Sequence, residues 1–192
     1  MLRAGLYSLS VASLLAAGNV RSDQGWGVET LMHDLASSGN PPLQFTEIRN
    51  SAFLDIPVVS HGTLRVLPDG TLVKERQAPV FERFSVDDTH ARLDTAGGSQ
   101  SVLLAELPAL RSLIAGLRAL FRGDLVTLAN LFELRLSGGQ EGWQLQLEPR
   151  DPALAQAVDH LLVRGDGARI AEVETLERDG DSARLELTSP PQ

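Results

Sequence analysis

Two alternating runs joined by a glycine-rich turn, Phe132 to Pro149, constrain this chain more than any other stretch. Phe132, Leu134 and Leu136 alternate with Glu133 and Arg135, and Trp143, Leu145 and Leu147 alternate with Gln144, Gln146 and Glu148. A period of two is that of a strand with one buried face. The intervening Ser137 to Gly142 is rich in residues that tolerate positive φ, so the predicted element is an antiparallel hairpin. Its apolar face must lie against something. Whether helices alone cover it, or a ligand as well, is the functional question.

Upstream, Val28, Leu31, Met32 and Leu35 fall at the i, i+3, i+4, i+7 spacing of an amphipathic helix, which Ser37 to Pro42 ends. From Leu43 the period becomes two, and about four or five antiparallel strands are expected before the Asp94 region. Turns are expected at Asn50-Ser51, Pro68-Asp69-Gly70 and Asp87-Asp88. Leu43 and Phe45 share a face with Glu47 and Arg49, Leu64 with Val66, and Val80, Phe84 and Val86 with Glu82. The charges Glu47, Arg49 and Glu82 fit the rim of a concave face or solvent where the sheet ends, and solvent is the expected place, since most charged residues on strands have no other role. Gly97-Gly98-Ser99 is expected as a loop, and Ser101 to Phe121 as a helical stretch that Pro108 starts afresh. Leu110, Leu113, Ile114, Leu117 and Phe121 would form its apolar face, with Arg111, Arg118 and Arg122 elsewhere on the cylinder. Gly123 closes it, and Asp124 caps a short helix from Leu125 to Leu131.

Beyond the hairpin, Asp151-Pro152 starts a helix through Ala157. Three strand-like runs follow, His160 to Arg164, Ala168 to Leu176 and Ala183 to Thr188, separated by Gly-Asp turns. The predicted class is α+β: a strongly curved antiparallel sheet, an incomplete barrel of about nine to eleven strands, with helices over its concave face.

Composition narrows the partners. The chain has 192 residues, is 43% hydrophobic and carries a net charge of −8, which disfavours nucleic acid. It has no cysteine, which excludes disulfides, thiolate metal sites and cysteine nucleophiles. Arg3, the apolar run Ala4 to Ala17 and the small residues Ala16-Ala17-Gly18 are expected to form a signal peptide over residues 1–18, with one domain over 19–192. The alternative is an N-terminal core helix or an uncleaved anchor. Export without cysteine fits a periplasm best.

No catalytic set assembles, and no enzyme is expected. His33, His61, His90 and His160 are scattered, Ser60-His61 lacks a nucleophile elbow, and neighbours on a strand face opposite ways. Asp166-Gly167 and Asp179-Gly180-Asp181 lack the remaining oxygen donors of a calcium loop. No phosphate or dinucleotide motif, cofactor or metal is indicated.

The order of elements carries a resemblance. F-x-E-x-R at Phe45, Glu47 and Arg49, H-G-x-L at His61, Gly62 and Leu64, and P-x-G-x-L-x-K at Pro68, Gly70, Leu72 and Lys74 come first. Gly123-Asp124 with Leu128 and Phe132, W-x-L-x-L-x-P at Trp143, Leu145, Leu147 and Pro149, and Gly180-Asp181 complete it. Together they resemble a divergent branch of the outer-membrane lipoprotein carrier (LolA-like) family.

The resemblance implies a periplasmic, monomeric carrier that binds acyl chains of a lipoprotein or other lipid in an apolar cavity. Such a carrier moves cargo from an inner-membrane exporter to an outer-membrane acceptor, with only transient membrane contact and no bond made or broken. The expected lipid-binding set is Phe45, Leu64, Leu72, Phe84, Leu113, Leu117, Phe121, Phe132, Leu134, Trp143, Leu145 and Leu147. The alternative is a non-catalytic periplasmic adaptor with no ligand cavity. One departure stands out: the family pattern places an arginine before the turn proline, where it latches the lid, and this chain has Leu67 before Pro68. Arg65, on the same strand face, is the candidate substitute.

Overall fold

The computed structural model describes residues 26–39, 41–51 and 55–190, so the expected signal segment lies outside the described residues. Helix α1 (Val28–Ser37) precedes six strands, β1 (Leu43–Asn50), β2 (Val58–Val66), β3 (Leu72–Ala78), β4 (Glu82–Val86), β5 (His90–Thr95) and β6 (Gly98–Leu103). A 3-10 turn (Leu104–Glu106), α2 (Pro108–Arg122) and α3 (Leu125–Leu131) follow. The chain returns to strand in β7 (Phe132–Gly139) and β8 (Gly142–Pro149), then α4 (Pro152–Ala157), β9 (Val158–Asp166), β10 (Arg169–Glu177) and β11 (Ser182–Thr188).

All eleven strands form one sheet in the order β6-β5-β4-β3-β2-β1-β11-β10-β9-β8-β7. Every neighbouring pair is antiparallel, and β6 and β7 end the sheet at opposite edges without closing a barrel. The connection from β6 to β7 must therefore cross the whole sheet. That crossing is made by α2 and α3, which is why they cover the concave face. Leu120, Leu128, Phe132, Leu145, Val163 and Leu187 belong to one continuous core beneath them. Each such side chain contributes on the order of 1.5–3 kcal/mol before entropy is subtracted.

Local chemistry sets the element ends. Pro108 occupies the first turn of α2, where its missing N–H costs nothing, and Gly123 ends the helix in the left-handed conformation at φ 66°. A side chain there would also collide with α1, since a Cβ would sit 2.0 Å from the Met32 carbonyl oxygen. Asp124 caps α3 by accepting from the Thr127 N–H, and Asp151 caps α4 by accepting from the Leu154 N–H. The central hairpin runs further than its glycines suggested: Gly139 pairs with Gly142, leaving a two-residue turn of Gln140 and Glu141.

Three expectations are corrected. The four or five strands expected after Leu43 are the five from β1 to β5, but Gly98 and Ser99, expected in a loop, begin a sixth strand, pairing with Thr95 and Asp94 of β5. Ser101 to Leu103 are strand, not helix, since Ser101, Val102 and Leu103 pair with Arg92, Ala91 and His90. The buried stripe of α2 is Ser112, Ile114, Gly116, Ala119 and Leu120, while Leu110, Leu113, Leu117 and Phe121 are only half-buried. Small residues win the contact face because the helix presses close to Phe132.

The β4–β5 turn is tied by Asp87, whose carboxylate accepts from Thr89 N, Thr89 Oγ1 and His90 N at 2.7–2.8 Å. The Thr89 and His90 N–H groups, with the Thr89 hydroxyl, hold its pKa down, from 3.8 to about 2. A depressed carboxylate pKa gives stability that is present above the ordinary value and lost as pH falls through the folded value. Asp87→Asn keeps an acceptor but cannot titrate. It is expected to flatten the loss of stability between pH 3.8 and about 2, read from urea midpoints across that range.

Candidate functional site

The concave face carries a gradient of polarity. From one end to the other, the inward row of β1 reads Leu43, Phe45, Glu47, Arg49, that of β3 reads Leu72, Lys74, Arg76, and that of β4 reads Val86, Phe84, Glu82. The register places the apolar members together at the end where β2 finishes and β3 begins. There α1 and α2 leave an open pocket of about 440 Å³. Its walls are Leu35 and Phe121 from the helices, Leu43, Leu64 and Val66 from β1 and β2, and Ile170 from β10. Ser38, Gly39, Pro41 and Ser189 border it as well, as do Arg65 and the β9–β10 turn from Asp166 to Arg169.

The hairpin that dominates the sequence braces this pocket without lining it. Trp143 is 2% exposed, and its indole Nε1 donates to the Gly167 carbonyl at 2.9 Å. The Gly167 N–H in turn donates to Gln140 O at 2.7 Å. Opposite Trp143 stands Gly165, where a Cβ would lie 2.3 Å from the indole Cζ2. The tryptophan thus packs flat against the strand and fastens the turn that forms one pocket wall.

Of the expected lipid-binding set, Leu64 and Phe121 border the pocket. Phe45, Leu72, Phe132, Trp143, Leu145 and Leu147 are buried in the core, and Phe84, Leu113, Leu117 and Leu134 are half-buried against it. Leu35, Leu43, Val66 and Ile170 complete the apolar wall and were not singled out from sequence. Their common property is position at the same end of their elements. Alternation marks an inward face but says nothing about which end of that face a helix leaves uncovered.

At the other end of the groove the face turns ionic. Lys74 Nζ lies 2.7 Å from Glu47 Oε1 and 5.0 Å from the centre of the Phe45 ring, and Ser60 Oγ donates to Glu47 Oε2 at 3.2 Å. Gly62 sits between these residues on β2 and has no side chain to block the reach of Lys74 across the strand. Burial lowers the pKa of Lys74, and the Glu47 carboxylate opposes that shift. Glu47 is 7% exposed, which overturns its expected place in solvent; a partner two strands away makes the burial tolerable. Glu82 is also paired, with Arg76, whereas Arg49 is largely exposed and 3.7 Å from Glu177.

No catalytic arrangement is formed by Ser60 and His61. Ser60 is buried beside Glu47, while His61 is exposed and faces the other way, within 3.1 Å of Thr46 Oγ1. Among the described residues no three histidine or acidic side chains are grouped to hold a metal. No helix among them is long and apolar enough to cross a membrane.

Arg65 makes no latch to the helices. Its Nε is shut off from solvent with no hydrogen-bond partner. Such an unmade bond costs about 1–3 kcal/mol. The helix end is held by other arginines. Arg118 donates to Asp88 at 2.9 Å and to the Val86 carbonyl, and Arg122 lies over Gly70 in the β2–β3 turn.

A curved open sheet whose concave face is covered by helices, with an apolar pocket left at one end, defines an open half-barrel with a cavity at the helix–sheet junction. The chain belongs to the outer membrane lipoprotein carrier protein LolA-like family, whose profile matches residues 20–190. Among solved structures it is similar to a LolA superfamily protein of Nitrosomonas europaea, at 7% identity and TM-score 0.47 over 85% of this chain and 92% of that one. It is also similar to the MucA/MucB complex structure of Pseudomonas aeruginosa (18%, 0.45, 86% of this chain and 59% of that one). A third is LprF of Mycobacterium bovis (13%, 0.39, 86% and 94%). No curated protein sequence matches the chain.

Proposed function

We propose that this protein is a periplasmic carrier that sequesters the acyl chains of a lipoprotein or other lipid and moves them from the inner to the outer membrane. It would follow a signal peptide as one carrier domain, act as a monomer, receive cargo from an inner-membrane exporter and yield it to an outer-membrane acceptor. The carrying observation is the open pocket of about 440 Å³ with six apolar walls at the helix–sheet junction. A ligand pocket of this size falls in the usual range of about 300–1,000 Å³. Membership of a carrier family supports the same class.

Transfer needs no chemistry in this scheme. Leu35 and Phe121 form the helical wall, so outward movement of the α1 and α2 ends would extend the pocket toward the core. The Arg118 contacts to Asp88 and Val86 would resist that movement.

Delipidated protein is expected to take up a fluorescent fatty-acyl probe, and absence of uptake by folded protein would sink the proposal. A charge at Leu145 is a poor test, because that side chain is 0% exposed and its replacement unfolds the core. Val66 is better placed: it is half-buried and borders the pocket. Val66→Trp fills the space and is expected to weaken probe uptake about tenfold or more, roughly 1.4 kcal/mol, with an unchanged circular dichroism spectrum.

A second reading, a non-catalytic adaptor, draws on a different surface. Ile56, Val58, Val59, Val80 and Phe81 are all exposed around the opposite end of β2. Folded protein that ignores acyl probes, yet loses association with a periplasmic protein on Phe81→Ser, would favour it.

A further inference from the structure

Strand β6 ends the sheet, and every residue from Gly98 to Leu103 is exposed. The Leu104 N–H donates to the Thr89 carbonyl at 2.8 Å, which fixes the groups of β6 that bond inward. Residues of an antiparallel ladder alternate between bonding one neighbour and pointing away from it. Counting back from Leu104, Val102 and Gln100 bond β5, and Ser99, Ser101 and Leu103 turn their N–H and C=O groups outward. Proteins guard such edges with charge, proline or cover. The opposite edge strand, β7, carries the exposed charges Glu133 and Arg135, but β6 has no charged residue and no proline. Arg92 and Asp94, beside it on β5, neutralise each other.

The side chains say what this edge would take. One row of cross-strand partners runs over the concave face from β2 to the edge: Val66, Leu72, Val86, Ala91 and Val102. Leu72, Val86 and Ala91 are buried, whereas Val102, the last of the row, is 43% exposed. We propose that β6 is a strand-addition site for an extended, uncharged segment of a partner protein, which bonds to Ser99, Ser101 and Leu103 and sets an apolar side chain against Val102. Main-chain bonds hold such added strands, and alternate side chains give them specificity. A second copy of this chain fits less well. Pairing β6 with itself about Ser101 would set Val102 against the copy's Gln100, leaving the apolar row without a continuation. A six-residue edge also falls far short of the roughly 20–30 residues a side that a stable interface uses. The edge lies four strands from β2, so the inference holds whether or not the pocket carries acyl chains.

The probe is a short lysine-capped peptide of alternating valine and threonine, added to the purified protein while amide hydrogen exchange is followed by NMR. In the free protein the Ser99, Ser101 and Leu103 amides are expected to exchange fast, and those of Gln100 and Val102 slowly. Saturating peptide should slow the first three about tenfold or more. A control peptide with proline in place of each threonine lacks the facing donors and should not bind. Ser101→Pro removes an outward donor at a place where an edge strand tolerates proline, and should weaken binding about tenfold with an unchanged circular dichroism spectrum. Val102→Lys, at the end of the apolar row, should weaken it too. If Ser101→Pro fails to fold, Val102→Lys and the exchange pattern of the unaltered protein decide. Absence of peptide binding overturns the proposal, as does binding that leaves the three amides fast or that both variants keep in full. Slow exchange of those amides in the free protein, together with a dimer in sedimentation equilibrium, assigns the edge to a second copy and overturns it as well.

Discussion

Glu47→Ala is expected to destabilise the protein by about 3–5 kcal/mol, because it leaves the Lys74 ammonium buried on the concave face with no countercharge. Lys74 has 26% of its side chain exposed and Glu47 9%, so solvent cannot readily take over the lost partner. Ser60, at 2% exposure, would lose its acceptor at the same time. Urea denaturation of the single and double variants checks the argument. Lys74→Met added to Glu47→Ala should recover much of the loss, since removing both charges from a buried pair is often close to neutral. A loss below about 1 kcal/mol for Glu47→Ala would show that Lys74 swings out to water, as exposed pairs allow.

The pair also bears on the proposed function. It stands between the apolar end of the groove and its charged end, with Arg76 and Glu82 beyond it. An acyl chain advancing from the pocket along the inward face would meet the Glu47–Lys74 pair after Leu64 and Phe45. Burying more apolar matter against that pair gains little, so the pair sets a natural limit to the greasy floor.

Phe132→Ala is expected to cost about 3–5 kcal/mol, the range for emptying a large buried aromatic site. Phe132 opens the central hairpin, is 1% exposed, and lies against α2 at Gly116. The fit is close enough that a Cβ on Gly116 would sit 2.3 Å from the ring Cε2. Gly116→Ala should gain about 1 kcal/mol in helix propensity, yet overpacking costs about 1–3 kcal/mol, so a net loss is expected. Phe132→Leu in the Gly116→Ala background should restore part of it, by making room for the new methyl. Thermal and urea unfolding of the three variants settle the coupling. A stabilised Gly116→Ala would mean that helix and hairpin are not in direct contact.

Much of the fold was legible because its signals are local. Alternation marked β7 through β11, and the expected caps at Asp124 and Asp151 and stops at Gly123 and Gly180 depend only on neighbours a few residues away. The misreading of Ser101 to Leu103 has the opposite origin. Their apolar, unbroken sequence suits a helix as well as a strand, and pairing with β5 decides between them. Glu47 was misplaced for the same kind of reason: its counterion Lys74 lies on β3, reached across Gly62.

The candidate site divides along that line. By itself the sequence determined a set of alternating strands, their inward faces and the helices available to cover them, because side-chain period, proline and glycine act within a few residues. Only the tertiary structure decided where the cover stops short. Strands β6 and β7 sit at opposite edges, so α2 must span the sheet, and the small stripe Ser112, Gly116 and Ala119 lets it settle deeply over the hairpin. The core residues of the hairpin are thereby sealed, and the uncovered space falls at Leu43, Val66 and Ile170. That outcome depends on packing between segments about a hundred residues apart, and no local pattern records it.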